Sequence, residues 1–213
     1  LGLPVFEGYG LSECASVVCL NTPDARRRGS VGRPLPHARV RVADDGQIMV
    51  SGVTLHGYLG DVPRSPGEEW ATGDLGEIDA DGYVYVRGRI RNVFITSFGR
   101  NVAPEWVERE IAQHPGVRHV MVHGEARPYA VAIVSAPRES ADDATIDRAI
   151  AAANATLPEY AQVRRWQRAP EPFSFDNGLL TSNGRLRRPE IVQRHGDLLD
   201  DLLTGGIRAV SPN

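Results

Sequence analysis

The chain contains 213 residues, 41% of them hydrophobic, and has a formal net charge of −3 at pH 7. This composition allows one large or two small folded domains, and the slight acidic excess argues against electrostatic binding of nucleic acid. The sequence has no apolar run long enough for a membrane span and no signal-peptide pattern, so we expect a cytoplasmic location. Two cysteines, Cys14 and Cys19, are too few for a disulfide framework and are predicted to be buried free thiols.

The first part of the chain, residues 5 to about 88, is predicted to be rich in β-hairpins. Residues 37–42 alternate between apolar and polar side chains, and an Asp-Asp-Gly turn leads to a returning strand at 47–51. The same pattern pairs residues 76–78 with residues 83–86. The first five residues are interpreted as a connection that leads into a buried strand.

Beyond Arg89 the pattern changes to alternating strands and helices. Pro104 suits the first position of a helix, because the N–H that proline lacks has no partner there. The expected elements are strands at 92–96, 117–122 and 130–134, and helices at 105–114, at 143–157 and from 189 onward. We therefore predict an α+β fold with two domains, residues 1–88 and 89–203, followed by a disordered tail at 204–213.

Three short polar motifs occur in a fixed order along the chain. They are Tyr-Gly-Leu-Ser-Glu at 9–13, Thr-Gly-Asp at 72–74 and Gly-Arg at 88–89. The ring of Tyr9 can stack on a base, the Ser12 hydroxyl suits a phosphate, and Glu13 offers the hard oxygen that Mg²⁺ prefers. Asp74 can accept hydrogen bonds from both ribose hydroxyls, and Arg89 adds a charged donor. A lone Thr-Gly-Asp is more often a turn, so it is the ordered set that predicts a nucleotide site.

The series resembles the adenylate-forming superfamily, which includes acyl-CoA synthetases, adenylation domains of peptide synthetases and luciferases of the firefly type. Residues 99–108 match the family pattern Gly-x-Asn/Gln-Val-x-Pro-x-x-Val/Leu-Glu, and residues 29–36 and 57–58 match as well. The resemblance implies that a set of residues binds ATP or AMP, namely Tyr9, Gly10, Ser12, Asp74 and Arg89. It also implies that Glu13 binds Mg²⁺ and takes part in catalysis.

The resemblance further implies a β-rich end of the large adenylating domain, followed by a small mobile α+β domain that rotates about a hinge at Arg91. Gly99 would let the backbone approach the thiol of coenzyme A or phosphopantetheine, although an ordinary hairpin glycine explains it equally well. The family places a catalytic lysine, which neutralises the carboxylate and the α-phosphate, where this chain has Arg185. All 24 basic residues are arginines, so no lysine within these 213 residues can substitute. Because guanidinium is larger and planar, we expect weakened or lost adenylation.

The expected function is that of an ATP-dependent acyl-CoA ligase. Such an enzyme activates a carboxylic acid, here with a fatty acid as the leading candidate, and transfers the acyl group to the thiol of coenzyme A. The first motif begins at Tyr9 and no phosphate loop of the Thr-Ser-Gly-Thr-Thr-Gly type occurs, so we expect the C-terminal part of a longer enzyme, inactive alone. The alternatives are an adenylation domain that loads an acyl carrier protein, and a non-catalytic module that binds AMP or acyl-adenylate.

Three remaining patterns have simple interpretations. The run Arg26–Arg28 is predicted to be a solvated loop. Trp106 is predicted to anchor the core side of helix 105–114, together with Val107 and Ile111. The six histidines lack the spacing of metal ligands.

Overall fold

The computed structural model describes residues 3–65, 67–137, 139 and 141–205. The chain divides into two compact units, the N-terminal unit Leu1–Arg91 and the C-terminal unit Asn92–Asn213. The division lies three residues after the boundary predicted from the change of pattern. Of the predicted disordered tail, only Thr204 and Gly205 are among the described residues, and Thr204 ends a helix.

The N-terminal unit is built from two antiparallel sheets. One has the order β1-β2-β3 and the other is a meander with the order β4-β5-β6-β7. The strands are β1 (Gly8–Tyr9), β2 (Cys19–Leu20), β3 (Arg33–Pro34), β4 (Ala38–Val42), β5 (Gln47–Gly52), β6 (Trp70–Ile78) and β7 (Val84–Arg89). Both predicted hairpins are confirmed, since β4 pairs with β5 and β6 pairs with β7.

The interpretation of the first residues is wrong. Leu3 and Val5 are 74% and 87% exposed, and the strand that follows them, β1, has only two residues. This strand is paired on one side only, with β2, so it is an edge strand rather than a buried one. The two cysteines are buried free thiols, as predicted.

The described residues of the C-terminal unit form a short hairpin, a three-stranded sheet and four helices. The strands are β8 (Phe94–Ile95), β9 (Asn101–Val102), β10 (His119–His123), β11 (Ala130–Ser135) and β12 (Val163–Arg168). The helices are α1 (Pro104–Ala112), α2 (Asp143–Asn154), α3 (Arg188–Arg194) and α4 (Gly196–Thr204). The α+β fold class is confirmed. Among the described residues, none of the helices combines the length and the apolar composition that crossing a bilayer requires.

The sheet of the C-terminal unit lies between two helical layers. All six residues of its central strand, β11, are buried. Ala132 and Val134 pack into a core with α1 and α2, whereas Val131 and Ile133 pack into a second core with α3 and α4. A strand buried on both faces is apolar throughout, which explains the uninterrupted run of apolar residues here.

Helix α1 follows its predicted pattern closely. It begins at Pro104, and Val107 and Ile111 are fully buried. Trp106 is only partly buried and packs against the edge of the same core. Val107 and Ile111 therefore anchor this helix in the core, and the indole ring of Trp106 packs at the edge of that core.

Strand β12 was not predicted from the sequence. Its sequence, Val-Arg-Arg-Trp-Gln-Arg, does not alternate, because Val163 and Trp166 face the same core although they are three residues apart. The pairing with β11 skips Arg164, since Ala130 pairs with Val163 and Val131 with Arg165. Because of this bulge, buried and exposed side chains do not alternate along β12, so the usual strand pattern is absent from its sequence.

A buried histidine between α3 and α4 is expected to make the stability of the C-terminal unit depend on pH. Burial lowers the pKa of His195, Arg194 lowers it further, and Glu171 opposes them. The Nε2 atom of His195 has no hydrogen-bond partner among the described residues. A histidine whose folded-state pKa lies below its unfolded value of about 6.5 destabilises the fold as the pH falls through that value.

When the pH falls from about 8 to about 5, we therefore expect the unfolding free energy to decrease less in His195→Leu than in the parent. Urea unfolding of the parent and the variant measures this difference. The comparison with the parent is necessary because burial raises the pKa of Glu108 to about 7, which changes stability in the opposite direction. An unchanged pH slope in His195→Leu would show that His195 is not kept neutral by the fold.

Candidate functional site

Asp74 is the centre of a cluster in the N-terminal unit that unites three of the predicted site residues. The Tyr9 hydroxyl donates a hydrogen bond of 2.6 Å to Asp74 Oδ2. Arg89 Nε lies 2.6 Å from Asp74 Oδ1. Asp74 is 5% exposed, whereas the side chain of Arg89 is 44% exposed. The cluster thus holds a buried carboxylate between a phenol and a guanidinium.

The meander sheet positions this carboxylate. Asp74 on β6 is the cross-strand partner of Arg89 on β7, which places the two side chains together. Thr72 Oγ1 accepts a hydrogen bond from the Asp74 N–H at 3.1 Å and donates one to the Ile48 carbonyl at 2.8 Å. Thr-Gly-Asp is therefore part of a strand and not a turn, and its threonine is a structural residue.

The electrostatics of the cluster keep Tyr9 protonated. Burial raises the pKa of the Tyr9 phenol, and its hydrogen bond to Asp74 raises the pKa further. A carboxylate has about four lone-pair sites, and Tyr9 and Arg89 occupy one on each oxygen. Each oxygen of Asp74 thus retains a second acceptor site, which is what a pair of vicinal hydroxyls requires.

The first motif turns back on itself immediately after Tyr9. The Ser16 N–H donates to the Leu11 carbonyl at 3.1 Å, and the Val18 N–H donates to the Tyr9 carbonyl at 2.8 Å. Ala15 and Ser16 have positive φ angles of 55° and 75°. This tight path brings the Ser16 backbone against Gly10, so a side chain at position 10 has no space.

Gly10→Ala is expected to destabilise the N-terminal unit. A Cβ atom at position 10 would lie 1.5 Å from Ser16 O and 2.8 Å from Val17 Cα, and backbone atoms cannot move aside as a flexible side chain can. We expect a cost of about 1–3 kcal/mol in unfolding free energy, measured by urea denaturation. Gly196→Ala is the control, because a Cβ there meets no atom within 4 Å. Equal stabilities of these two variants would contradict the prediction.

Glu13 lies in a short 3-10 helix, Ser12–Cys14, and is held by a residue that the sequence interpretation did not assign to the site. The hydroxyl of Tyr58 donates a hydrogen bond of 2.7 Å to Glu13 Oε1. This hydrogen bond is the main cause that lowers the pKa of Glu13. The Tyr58 ring meets Trp70 edge to face, with 6.0 Å between the ring centroids.

These surroundings fit the predicted metal site. Mg²⁺ is usually bound through one or two carboxylates together with phosphate oxygens and waters, and an ionised, partly exposed Glu13 matches that requirement. Ser12 is exposed beside it. In the part of the chain that the structure describes, no group of three or more His, Cys, Asp or Glu residues is arranged to hold a metal ion.

The other predicted site residues lie on exposed segments. Gly99 occupies the turn between β8 and β9 with φ +72°, and a Cβ there would meet no atom within 4 Å. The turn conformation therefore accounts for this glycine, and its role towards a thiol stays a prediction. Arg185 is exposed in the loop before α3, and Arg91 is exposed in a 3-10 turn, Ile90–Asn92.

Arg26–Arg28 lies in a loop in which Arg26 and Arg28 are exposed, as predicted, and the side chain of Arg27 is 40% exposed. Arg27 pairs with Asp79 and with Asp81, the latter at 2.7 Å. Its guanidinium also lies 4.4 Å from the centroid of the Tyr83 ring. The run of three arginines concealed this role, because nothing local distinguishes the paired residue from its neighbours.

Comparisons with known proteins show which family the chain resembles. Residues 1–74 match the family model of the AMP-binding enzyme, and residues 91–205 match that of the AMP-binding enzyme C-terminal domain. The long-chain-fatty-acid–CoA ligase FadD15 of Mycobacterium bovis is 29% identical over 91% of this chain and 37% of its own length. Human long-chain-fatty-acid–CoA ligase 1 is 28% identical over 95% of this chain and 35% of its own length.

The chain also resembles a solved structure. Wild-type Escherichia coli MenE, with a bound analogue of OSB-AMS, superposes with a TM-score of 0.63 and 29% identity, over 89% of this chain and 40% of that protein. The chain thus spans less than half the length of the relatives it matches. Because the C-terminal domain model alone matches more than half of the residues, this chain belongs to the AMP-binding enzyme family.

Proposed function

We propose that this chain supplies the C-terminal part of an ATP-dependent acyl-CoA ligase. The observation that carries the proposal is the Tyr9–Asp74–Arg89 cluster, with Glu13 four residues after Tyr9. The similarity to long-chain-fatty-acid–CoA ligases supports a fatty acid as the substrate and coenzyme A as the acceptor. We also propose a cytoplasmic location, consistent with the two free thiols.

In the first proposed step, a carboxylate oxygen of the acid attacks the α-phosphorus of ATP, and pyrophosphate leaves. Asp74 accepts hydrogen bonds from the ribose hydroxyls and Tyr9 lies beside the adenine. Glu13 is the carboxylate that would hold Mg²⁺, which neutralises phosphate charge when bound. Ser12 donates to the α-phosphate.

In the second proposed step, the thiol sulfur attacks the carbonyl carbon of the acyl-adenylate. AMP leaves, and the thiol proton passes to solvent. The proposed roles here are a hinge at Arg91 and a close backbone approach at Gly99. The division of the chain directly after Arg91 supports the hinge, because a hinge joins units that are compact by themselves.

The proposal is tested on the full-length protein with a panel of carboxylic acids. Acid-dependent exchange of pyrophosphate into ATP reports the first step, and thioester formation with coenzyme A or with a phosphopantetheine-bearing carrier protein reports the second. Thioester formation on coenzyme A alone is the expected result. Transfer only to the carrier protein would instead identify a loading domain.

A non-catalytic module that binds AMP or acyl-adenylate is the second candidate, and Arg185 favours it because that position carries lysine in the family. Such a module would bind AMP without turning over a preformed acyl-adenylate. Transfer of the acyl group from synthetic acyl-AMP to coenzyme A excludes this candidate, even when the first step is slow.

A further inference from the structure

The loop that carries Arg185 ends at a buried arginine. Arg188 has a side-chain exposure of 15%, and its Nη2 atom forms an ion pair with Glu108 Oε2. Its Nε atom lies 3.7 Å from Glu105 Oε1, and its Nη1 atom donates to the Val122 carbonyl at 3.5 Å. The guanidinium is therefore held by two carboxylates on α1 and by the backbone of β10.

The two carboxylates are themselves fixed. Glu108 Oε1 accepts a hydrogen bond of 2.7 Å from the Val122 N–H, which joins α1 to β10. Glu105 accepts a hydrogen bond from the Asn92 side chain. The pKa of Glu108 is raised to about 7, because burial raises it by more than Arg188 lowers it, so the pair is mainly ionised under mildly alkaline conditions.

The loop itself is a closed hairpin. Leu180 and Leu186 form a β-bridge, the Thr181 N–H donates to the Arg185 carbonyl at 2.8 Å, and the Arg185 N–H donates to Thr181 Oγ1 at 3.0 Å. The Leu180 end is anchored by burial, since that residue is 7% exposed. The other end is held by the packing of Leu186 against the second core, by a hydrogen bond of 2.9 Å from the Arg187 N–H to the Leu179 carbonyl, and by Arg188. Arg185 projects from the tip of this hairpin into solvent.

We propose that Arg188, clamped by Glu108 and Glu105, is a positioning residue that fixes the direction in which the hairpin presents Arg185. A guanidinium bonded at several atoms resists rotation, so it fixes this end of the hairpin more firmly than a single contact would. The inference rests on the proposed function and on the catalytic role that the resemblance implies for position 185, where Arg185 serves the first step but more slowly than a lysine would. A displacement of about 1 Å at a reacting group can lower a rate by about 100-fold, so only that step depends on the clamp.

The test compares Arg188→Lys with Arg168→Lys. Arg168 is a matched control because it is 13% exposed in the same unit, pairs with Asp143 at 2.7 Å and donates to the Ala141 carbonyl at 2.9 Å. Its hydrogen bonds and ion pair among the described residues are made with Ala136, Ala141 and Asp143, all outside the hairpin. Lysine keeps the positive charge at each position but lacks the planar set of several N–H donors of guanidinium. The two variants therefore lose comparable interactions.

The first measurement is amide hydrogen exchange of the full-length protein, at mildly alkaline pH, in peptides that cover residues 179–187. We expect exchange to increase at least about tenfold in Arg188→Lys and to stay within about twofold of the parent in Arg168→Lys. Unchanged exchange in Arg188→Lys overturns the inference, whatever the protein's activity. If Arg188→Lys does not fold, Glu108→Gln is measured instead, because it retains the acceptor for Val122 and removes the charge that faces Arg188.

The second measurement separates the two chemical steps. In Arg188→Lys we expect about a tenfold loss of acyl-AMP formation and a change within about twofold in transfer from preformed acyl-AMP to coenzyme A. An equal loss of both steps means that Arg188 is merely structural and overturns the inference. A parent that forms no acyl-AMP contradicts the proposed function but leaves the exchange result to decide on the clamp.

Discussion

Asp74→Ala is expected to weaken AMP binding by about 100-fold. The substitution removes the carboxylate that accepts from the two ribose hydroxyls, and each hydrogen bond to a charged group contributes about 1.5 kcal/mol. It also leaves the Tyr9 hydroxyl and Arg89 without their common partner. Isothermal titration of AMP into the full-length protein, at fixed salt concentration, measures the loss.

Asp79→Ala is the matched control for this measurement. Asp79 lies in the turn between β6 and β7, where it also pairs with an arginine, Arg27, and accepts a hydrogen bond of 3.1 Å from a tyrosine, Tyr85. Its loss is expected to reduce stability and to leave AMP affinity within about twofold. If both variants lose affinity equally, the effect comes from weakening the sheet, and Asp74 is not a ribose ligand.

The hairpins of the N-terminal unit were predictable because their determinants are local. Alternation over residues 37–42 and an Asp-Asp-Gly turn at 44–46 specify both the strand and its return, and the structure pairs the two as expected. Strand β12 was not predictable in this way. Its bulge at Arg164 depends on pairing with β11, more than 30 residues earlier in the chain.

The residues of the candidate site were predictable only as motifs, not as contacts. The hydrogen bond between Tyr9 and Asp74 joins residues 65 positions apart, and that between Glu13 and Tyr58 joins residues 45 positions apart. The motif pattern indicated that Tyr9 and Asp74 serve one nucleotide. It did not indicate that the two side chains bond each other, or that Tyr58 holds Glu13, because such pairings depend on how the sheets and loops fold together.

Gly10 illustrates a further limit. The motif predicts that Gly10 binds the nucleotide. The structure adds that position 10 must be glycine for steric reasons, since the Ser16 backbone occupies the space that a side chain would need. Both interpretations predict a glycine at this position. Only coordinates distinguish them, because the chain that crowds Gly10 arrives through two residues with positive φ, which sequence patterns do not reveal.

Arg185→Lys is expected to accelerate the first step by about 10- to 100-fold, because lysine presents a compact charge with three rotatable donors where guanidinium presents a rigid plane. The Arg185 side chain is exposed at the hairpin tip, so the substitution leaves the fold intact. Pyrophosphate exchange with ATP measures the gain, and transfer from preformed acyl-AMP to coenzyme A is expected to stay unchanged.

Arg187→Lys controls for the general effect of adding a lysine to this loop. Arg187 is exposed two residues away and pairs with Glu190 at 2.5 Å, so its replacement is expected to change neither step by more than about twofold. If Arg185→Lys adenylates no faster than the parent, the arginine is not what limits the first step. A gain confined to Arg185→Lys would mean that the arginine slows adenylation in an otherwise competent site.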